Sequence, residues 1–209
     1  MSISYKTITK TASAETLNGG SKFIAFVSPI SSVDDAKKFI LTLRKEHPYA
    51  THICYAYRIV DTTGKTIRAR SSDDREPAGT AGKPMHETLS SNGICNVIAC
   101  VVRYFGGTLL GASNLLRAYV TATQNAINNA KIVEKTFSEM LDFYINYNEV
   151  SVVENFFRNN NIKILDNDFA EDVIITCAVP DKKQTEIIEK LQELLNREVE
   201  FETKGKDFV

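Results

Sequence analysis

Two α+β domains are the architecture this sequence predicts, and three observations carry that expectation. First, an apolar run at residues 95–102 lies between two glycine-rich, charged loops, residues 71–84 and 103–113. Its β-branched residues and the bounding Gly93 and Gly106 predict a strand buried on both faces. Second, the apolar pattern restarts near residue 135. It then runs β-α-β-β-α-β over about 70 residues, the split-βαβ, ferredoxin-like order. Third, charge is divided. Residues 1–134 hold 16 Lys and Arg against 10 Asp and Glu, whereas residues 135–209 hold 9 against 16. The balances of +6 and −7 make up the net −1 and predict domains with different tasks. The expected domains are 1–134 and 135–209, with a linker near residues 131–136.

Composition adds exclusions. The 209 residues are 43% hydrophobic and 24% charged, ordinary values for a globular chain. No apolar run approaches the roughly 20 residues of a membrane span. The opening MSISYKTITK lacks the apolar core of a signal peptide. Cys54, Cys95, Cys100 and Cys177 lie in apolar strand patterns without a CxxC, which predicts reduced, buried thiols and a cytoplasmic protein.

In chain order, residues 3–8 and 22–27 read as short strands, joined through an Asn18-Gly19-Gly20 turn. Ser32 is a helix N-cap, with Asp34 and Asp35 in the first turn where the helix dipole favours anions. Val33, Ala36, Phe39, Ile40 and Leu43 recur at helical spacing until Pro48 stops the helix. Residues 52–60 alternate, with Ile53, Tyr55, Tyr57 and Ile59 on one face. A three-residue hairpin loop, Thr62-Thr63-Gly64, would pair Ile59 with Ile67, Arg58 with Arg68, and Ala56 with Arg70. Arg58, Arg68 and Arg70 then share a sheet face, where opposed like charges call for an anionic partner or the nearby acidic loop.

Pro84 suits the first position of a helix running to about Ser91, and Gly93 its end. Ser113 or Asn114 caps the next helix, whose Leu115, Tyr119, Ala122, Ala126 and Ala130 form a narrow face for close packing. Beyond the expected linker, Leu141, Phe143, Ile145 and Tyr147 alternate as a strand, and Val150, Val153 and Phe157 mark a helix. Residues 162–165 and 173–179 read as strands. Ile187, Ile188, Leu191, Leu194 and Leu195 mark a second helix, and Val199 and Phe201 a final strand.

The two loops hold the residues with chemistry. The stretch at 79–84 is not a phosphate-binding P-loop: Pro77 stands where the first Gly is needed, and Pro84 where Ser or Thr would hold the metal. Asp73, Asp74 and Glu76 could bind a divalent metal or work as paired carboxylates. They could equally balance Arg70, Arg75 and Lys83 and lock the loops. Three scattered histidines, His47, His52 and His86, form no recognisable ligand set, and no metal site is expected. No Ser or Cys occupies a nucleophile elbow, and no catalytic residue is assigned.

Arg103 ends the buried strand beside Gly106 and Gly107, and Arg117 is expected in the first turn of the following helix. A cation there opposes the helix dipole by roughly 0.3–1 kcal/mol. A glycine loop entering a helix presents free N–H groups to an anion, so Arg103, Gly106, Gly107 and Arg117 suit a phosphate. The alternative is that both arginines pair with the acidic loop.

Read together, residues 72–84 (SDDREPAGTAGKP), 103–107 (RYFGG), Leu110-Gly111 and Arg117-Ala118-Tyr119 closely resemble the signature of the Impact/YigZ family. The restart near residue 135 resembles the second domain of its bacterial members. Two positions depart from the pattern. Arg75 stands where the family usually has Gly, and Ser113-Asn114 where it has Gly-Gly.

The resemblance implies an N-terminal domain like the second domain of a small-subunit ribosomal protein and like domain four of elongation factor G. It implies a ferredoxin-like C-terminal domain similar to that factor's fifth. Eukaryotic relatives are regulators of translation that bind a protein partner.

The resulting expectation is a cytoplasmic, non-enzymatic translation regulator without a cofactor. It would bind RNA, the ribosome or a partner protein through Arg58, Arg68, Arg70, Lys83, Arg103, Gly106, Gly107 and Arg117. The alternative is a hydrolase or metal-dependent enzyme built on Asp73, Asp74 and Glu76, with His52.

Overall fold

The computed structural model describes residues 3–61, 67–169 and 173–209. In chain order it contains β1 (Ser4–Ile8), β2 (Ala12–Asn18), β3 (Ser21–Pro29), α1 (Val33–Glu46), β4 (His52–Val60), β5 (Ile67–Ser72), α2 (Gly82–Ser91), β6 (Val97–Tyr104) and α3 (Ala112–Asn128). There follow β7 (Ile132–Ile145), α4 (Val150–Asn159), β8 (Lys163–Phe169), β9 (Val173–Pro180), α5 (Gln184–Leu195) and β10 (Phe201–Phe208). The chain divides into two compact units. One is Tyr5–Glu134; the other joins the residues up to Ser4 to Lys135–Val209.

The first unit is an antiparallel sheet in the order β2-β3-β6-β4-β5. Central β6 explains the unbroken apolar run. Its Val97, Ala99 and Val101 pack with Met85, Leu89 and Tyr119 of α2 and α3, while Ile98, Cys100 and Val102 pack with Ala36 and Leu43 of α1. Each large apolar side chain so buried contributes about 1.5–3 kcal/mol. Helix α1 carries the expected Ser32 cap, completed as a capping box by Asp35. The four cysteines are buried free thiols.

Several local expectations change. Strand β2 replaces a loop, because its polar ASAETLN pairs along its whole length with β3. Gly19 and Gly20, at φ 52° and 79°, turn the β2–β3 hairpin in the conformation that glycine accepts most readily. Helix α2 begins at Gly82, so Pro84 is its third residue. Helix α3 begins at Ala112 after Gly111, with no side-chain cap from Ser113 or Asn114, which puts Arg117 in the second turn.

The proposed loop Thr62-Thr63-Gly64 lies outside the described residues. The strands beside it pair one residue away from the expected register: Val60 opposes Ile67, Ile59 Arg68, Arg58 Ala69, and Tyr57 Arg70. A slip of one residue exchanges sheet faces. Arg68 and Arg70 therefore share the α1 face with Ile59 and Tyr57, and Arg58 points to the α2 face.

In the second unit the strand order is β8-β9-β7-β10, over a core of Phe143, Phe157, Ile175 and Leu191; β1, of which only Ser4 belongs to this unit, pairs with β7. This is the ferredoxin-like arrangement, with α4 and α5 as its two helices. The segment expected as a linker, residues 131–136, enters β7. Its backbone is occupied: Thr136 exchanges hydrogen bonds with Val209, and Phe137 donates to Ile3.

Candidate functional site

Residues 73–76 and the end of β6 are joined by a buried polar network. Arg103 Nη1 donates to Glu76 Oε1 at 2.7 Å, and Arg103 Nη2 donates to Ser21 Oγ at 3.2 Å. The guanidinium lies 5.3 and 5.5 Å from the ring centres of Phe23 and Phe105. The Tyr119 hydroxyl also donates to Glu76 Oε1, at 2.7 Å. Cys54 Sγ stands 3.3 Å from that hydroxyl and 3.0 Å from the Asp73 carbonyl oxygen. Burial, with the nearby carboxylates, pushes the Cys54 thiol and the Tyr119 phenol far up. Neither is an available nucleophile or base near neutral pH.

Each acid of the loop has an internal task. Asp73 accepts from the backbone N–H groups of Gly79, Ala81 and Gly82 at 2.8–3.0 Å. It caps α2 from nine residues away, where a carboxylate meets the positive end of the helix. Burial raises its pKa, but the three donors together outweigh burial and hold it below the ordinary value. Asp74 accepts from Ile53 N at 2.7 Å and Arg44 at 3.0 Å. Those donors likewise outweigh burial and lower its pKa. Glu76 is the partner of Arg103. Of the two readings for these acids, the geometry gives the locking of loops rather than a paired-carboxylate centre. Among the described residues, no group of His, Cys, Asp and Glu is placed to hold a metal.

The basic residues scatter. Arg103 is 5% exposed and Arg58 8% exposed, so the expectation of both at a phosphate surface is corrected. Arg58 lies on the inner face of the sheet, and its Nε and Nη1 have no hydrogen-bond partner among the described residues. Burial and then Arg58 depress the pKa of His86 on α2. Arg68, Arg70, Lys83 and Arg117 are exposed. Arg117 borders a shallow depression with Thr16, Leu17 and Asn18, apart from the Arg103 network. The Arg103–Arg117 pairing is thus not formed.

The glycines have a packing role. A Cβ on Gly106 would stand 2.0 Å from the carbonyl of Gly20, so the backbones of two loops touch there. Gly107, at φ 86°, has open space around its Cα.

Above the buried network lies a cleft of about 460 Å³. His52, Glu76 and Arg103 form its polar part; Pro77, Phe105, Leu109 and Leu115 its apolar part; Arg75 and the start of α3 border it. His52 Nδ1 bonds with the Asp74 carbonyl at 2.9 Å, and its Nε2 is 3.8 Å from Glu76. Phe105 and Leu109 are 45% and 88% exposed. Arg75 has φ 72°, a left-handed conformation that glycine adopts freely and arginine does not. No sequence signal pointed to an apolar cleft, because Phe105, Leu109 and Leu115 come from a loop and a helix start whose approach to Pro77 is tertiary.

Fold and site define a two-domain α+β protein whose first unit presents an apolar cleft over a buried Arg–Glu–Tyr lock. The chain belongs to the IMPACT family. Its residues 19–127 match the Impact N-terminal domain, and residues 144–196 match a domain of unknown function, DUF1949. It is 32% identical over 193 residues to the IMPACT family member YvyE of Bacillus subtilis, covering 92% of this chain and 88% of that protein. It is 34% identical over 171 residues to the IMPACT family member YigZ of Escherichia coli, covering 82% and 83%. A crystal structure described as that of a hypothetical protein superposes with a TM-score of 0.63 at 30% identity, over 96% of this chain and 97% of that one.

Proposed function

We propose that this protein is a translation-associated regulator that acts by binding a protein partner at the cleft of its first unit. The translational part rests on family membership and on the role of the eukaryotic relatives. The choice of a protein partner rests on one observation. The acids of the first loop and Arg103 of the second are turned into internal bonds, while Phe105 and Leu109 on the second loop face solvent. Exposed large apolar residues beside a concave, mostly apolar cleft are the pattern of a recognition surface. The hydrolase alternative lacks support, because Asp73, Asp74 and Glu76 each serve a cap, a loop or a buried ion pair.

Of the arginines and lysine expected at a phosphate, Arg68, Arg70, Lys83 and Arg117 are the exposed ones an RNA reading would use. Co-sedimentation through sucrose gradients tests the proposal. Association with ribosomes or polysome-bound factors is expected to persist at moderate salt and to be lost in Leu109→Asp. RNA contacts would instead give a steep loss with salt, roughly −0.7 in log K per log salt for each phosphate contact on a single strand. That behaviour, with Leu109→Asp unaffected, would replace the protein partner by RNA.

A further inference from the structure

The cleft has a charge that its own residues do not cancel. Glu76 answers Arg103. The Arg75 guanidinium at the rim has one long contact, 3.5 Å to the Thr51 carbonyl oxygen. The start of α3 enters the cleft through Gly111 and Ala112, with no side-chain cap on its N-terminus and no acid in its first turn. A third observation is independent of the helix. Arg103, whose side chain lines the cleft and bonds to Glu76 and Ser21, keeps a buried Nε that has no hydrogen-bond partner among the described residues.

An uncapped helix start and a guanidinium held by one long contact together favour a single negative charge. The surrounding Pro77, Phe105, Leu109 and Leu115 favour an apolar body attached to it. A phosphate-rich strand answers the first feature and not the second. The end of a polypeptide answers both.

We infer that the cleft receives the C-terminal residue of the partner protein, its apolar side chain against Phe105 and Leu115 and its carboxylate between Arg75 and the first turn of α3. Capture of a terminal carboxylate by backbone N–H groups is a known mode of peptide recognition. The inference rests on the protein-partner reading and narrows it to one partner chemistry. It also gives Arg75 a reason to occupy a backbone conformation that costs stability. The side chain there sits at the rim of the cleft, where glycine would leave no cation.

The test uses two probes, N-acetyl-leucyl-phenylalanine as the free acid and the same dipeptide as its C-terminal amide, titrated into the full chain and followed by amide NMR. The acid is expected to shift the resonances of residues 111–114. It should bind at least about tenfold more tightly than the amide, the least that a hydrogen-bonded charge contributes. Arg75→Gly, which fits the local backbone, should weaken the acid and leave the amide unchanged. Equal binding of acid and amide would overturn the inference. So would shifts elsewhere on the molecule, or none at about 10 mM, well above the millimolar affinity of a small fragment. The titration needs no ribosome. A failed titration with Leu109-dependent co-sedimentation intact removes the terminal-carboxylate chemistry alone. The reverse result removes the translational partner and keeps the site.

Discussion

Arg103 and Glu76 meet at 2.7 Å with side chains only 6% and 3% exposed, tying the end of β6 to the loop before α2. Removing one member of such a pair leaves a buried charge without an answer. Arg103→Ala or Glu76→Ala should each destabilise the first unit by about 3–5 kcal/mol. The double replacement Arg103→Met with Glu76→Leu should recover much of that loss, because two apolar groups bury at no ionic cost. Urea unfolding of the three variants checks this. A double variant no more stable than either single would show that the pair is not the source of the effect.

Asp73→Ala should cost about 2 kcal/mol, since a helix cap and its bonded N–H groups lose their acceptor together. The pH dependence has a definite sign. Asp73 and Asp74 have folded pKa values lowered from 3.8. Their contribution is present above that value and is lost as pH falls through the folded values. Glu149, held to about 2 chiefly by its hydrogen bond from Arg197, behaves likewise between 4.5 and about 2. Urea midpoints recorded from pH 6 down to pH 2.5 should therefore fall, and Asp73→Ala should show a shallower fall than the parent chain.

Arg75→Gly should stabilise the first unit by about 1 kcal/mol, the lower end of the cost of a left-handed non-glycine residue. Arg75→Ala should give no such gain, because alanine keeps the Cβ that makes φ 72° unfavourable. Thermal unfolding of the pair separates backbone strain from loss of the guanidinium.

Gly106→Ala should be costly, about 3 kcal/mol, since the added methyl meets the Gly20 backbone and cannot be relieved by a side-chain rotation. Gly107→Ala meets nothing within 4 Å and pays only for its φ of 86°, roughly 1 kcal/mol. Similar losses from both would mean that the two loops can separate.

Much of this architecture was legible where local signals coincide with burial. The Ser32 cap, the doubly buried β6 and the small-residue face of α3 each follow from a pattern within a few residues. Strands β2 and β10 were not, or only in part, because ASAETLN and FETKGKD are polar and owe their extension to their neighbours β3 and β7. The site failed differently. One residue of register turned Arg58 inward and removed the expected arginine face. Likewise, Asp73 reaches the N–H of Gly82 and Glu76 reaches Arg103 across 27 positions. Sequence spacing could state that acids and arginines meet, but not which pairs, nor that their meeting leaves an apolar cleft outside.

The second unit takes residues from both ends of the chain, those up to Ser4 and Lys135–Val209. In a chain made from its N-terminus, the intervening unit can fold while the outer sheet still lacks most of its strands. Assembly thus has a built-in order, inner unit first and outer unit last. A polypeptide halted between α3 and β7 would display a finished cleft while the second unit is still unmade.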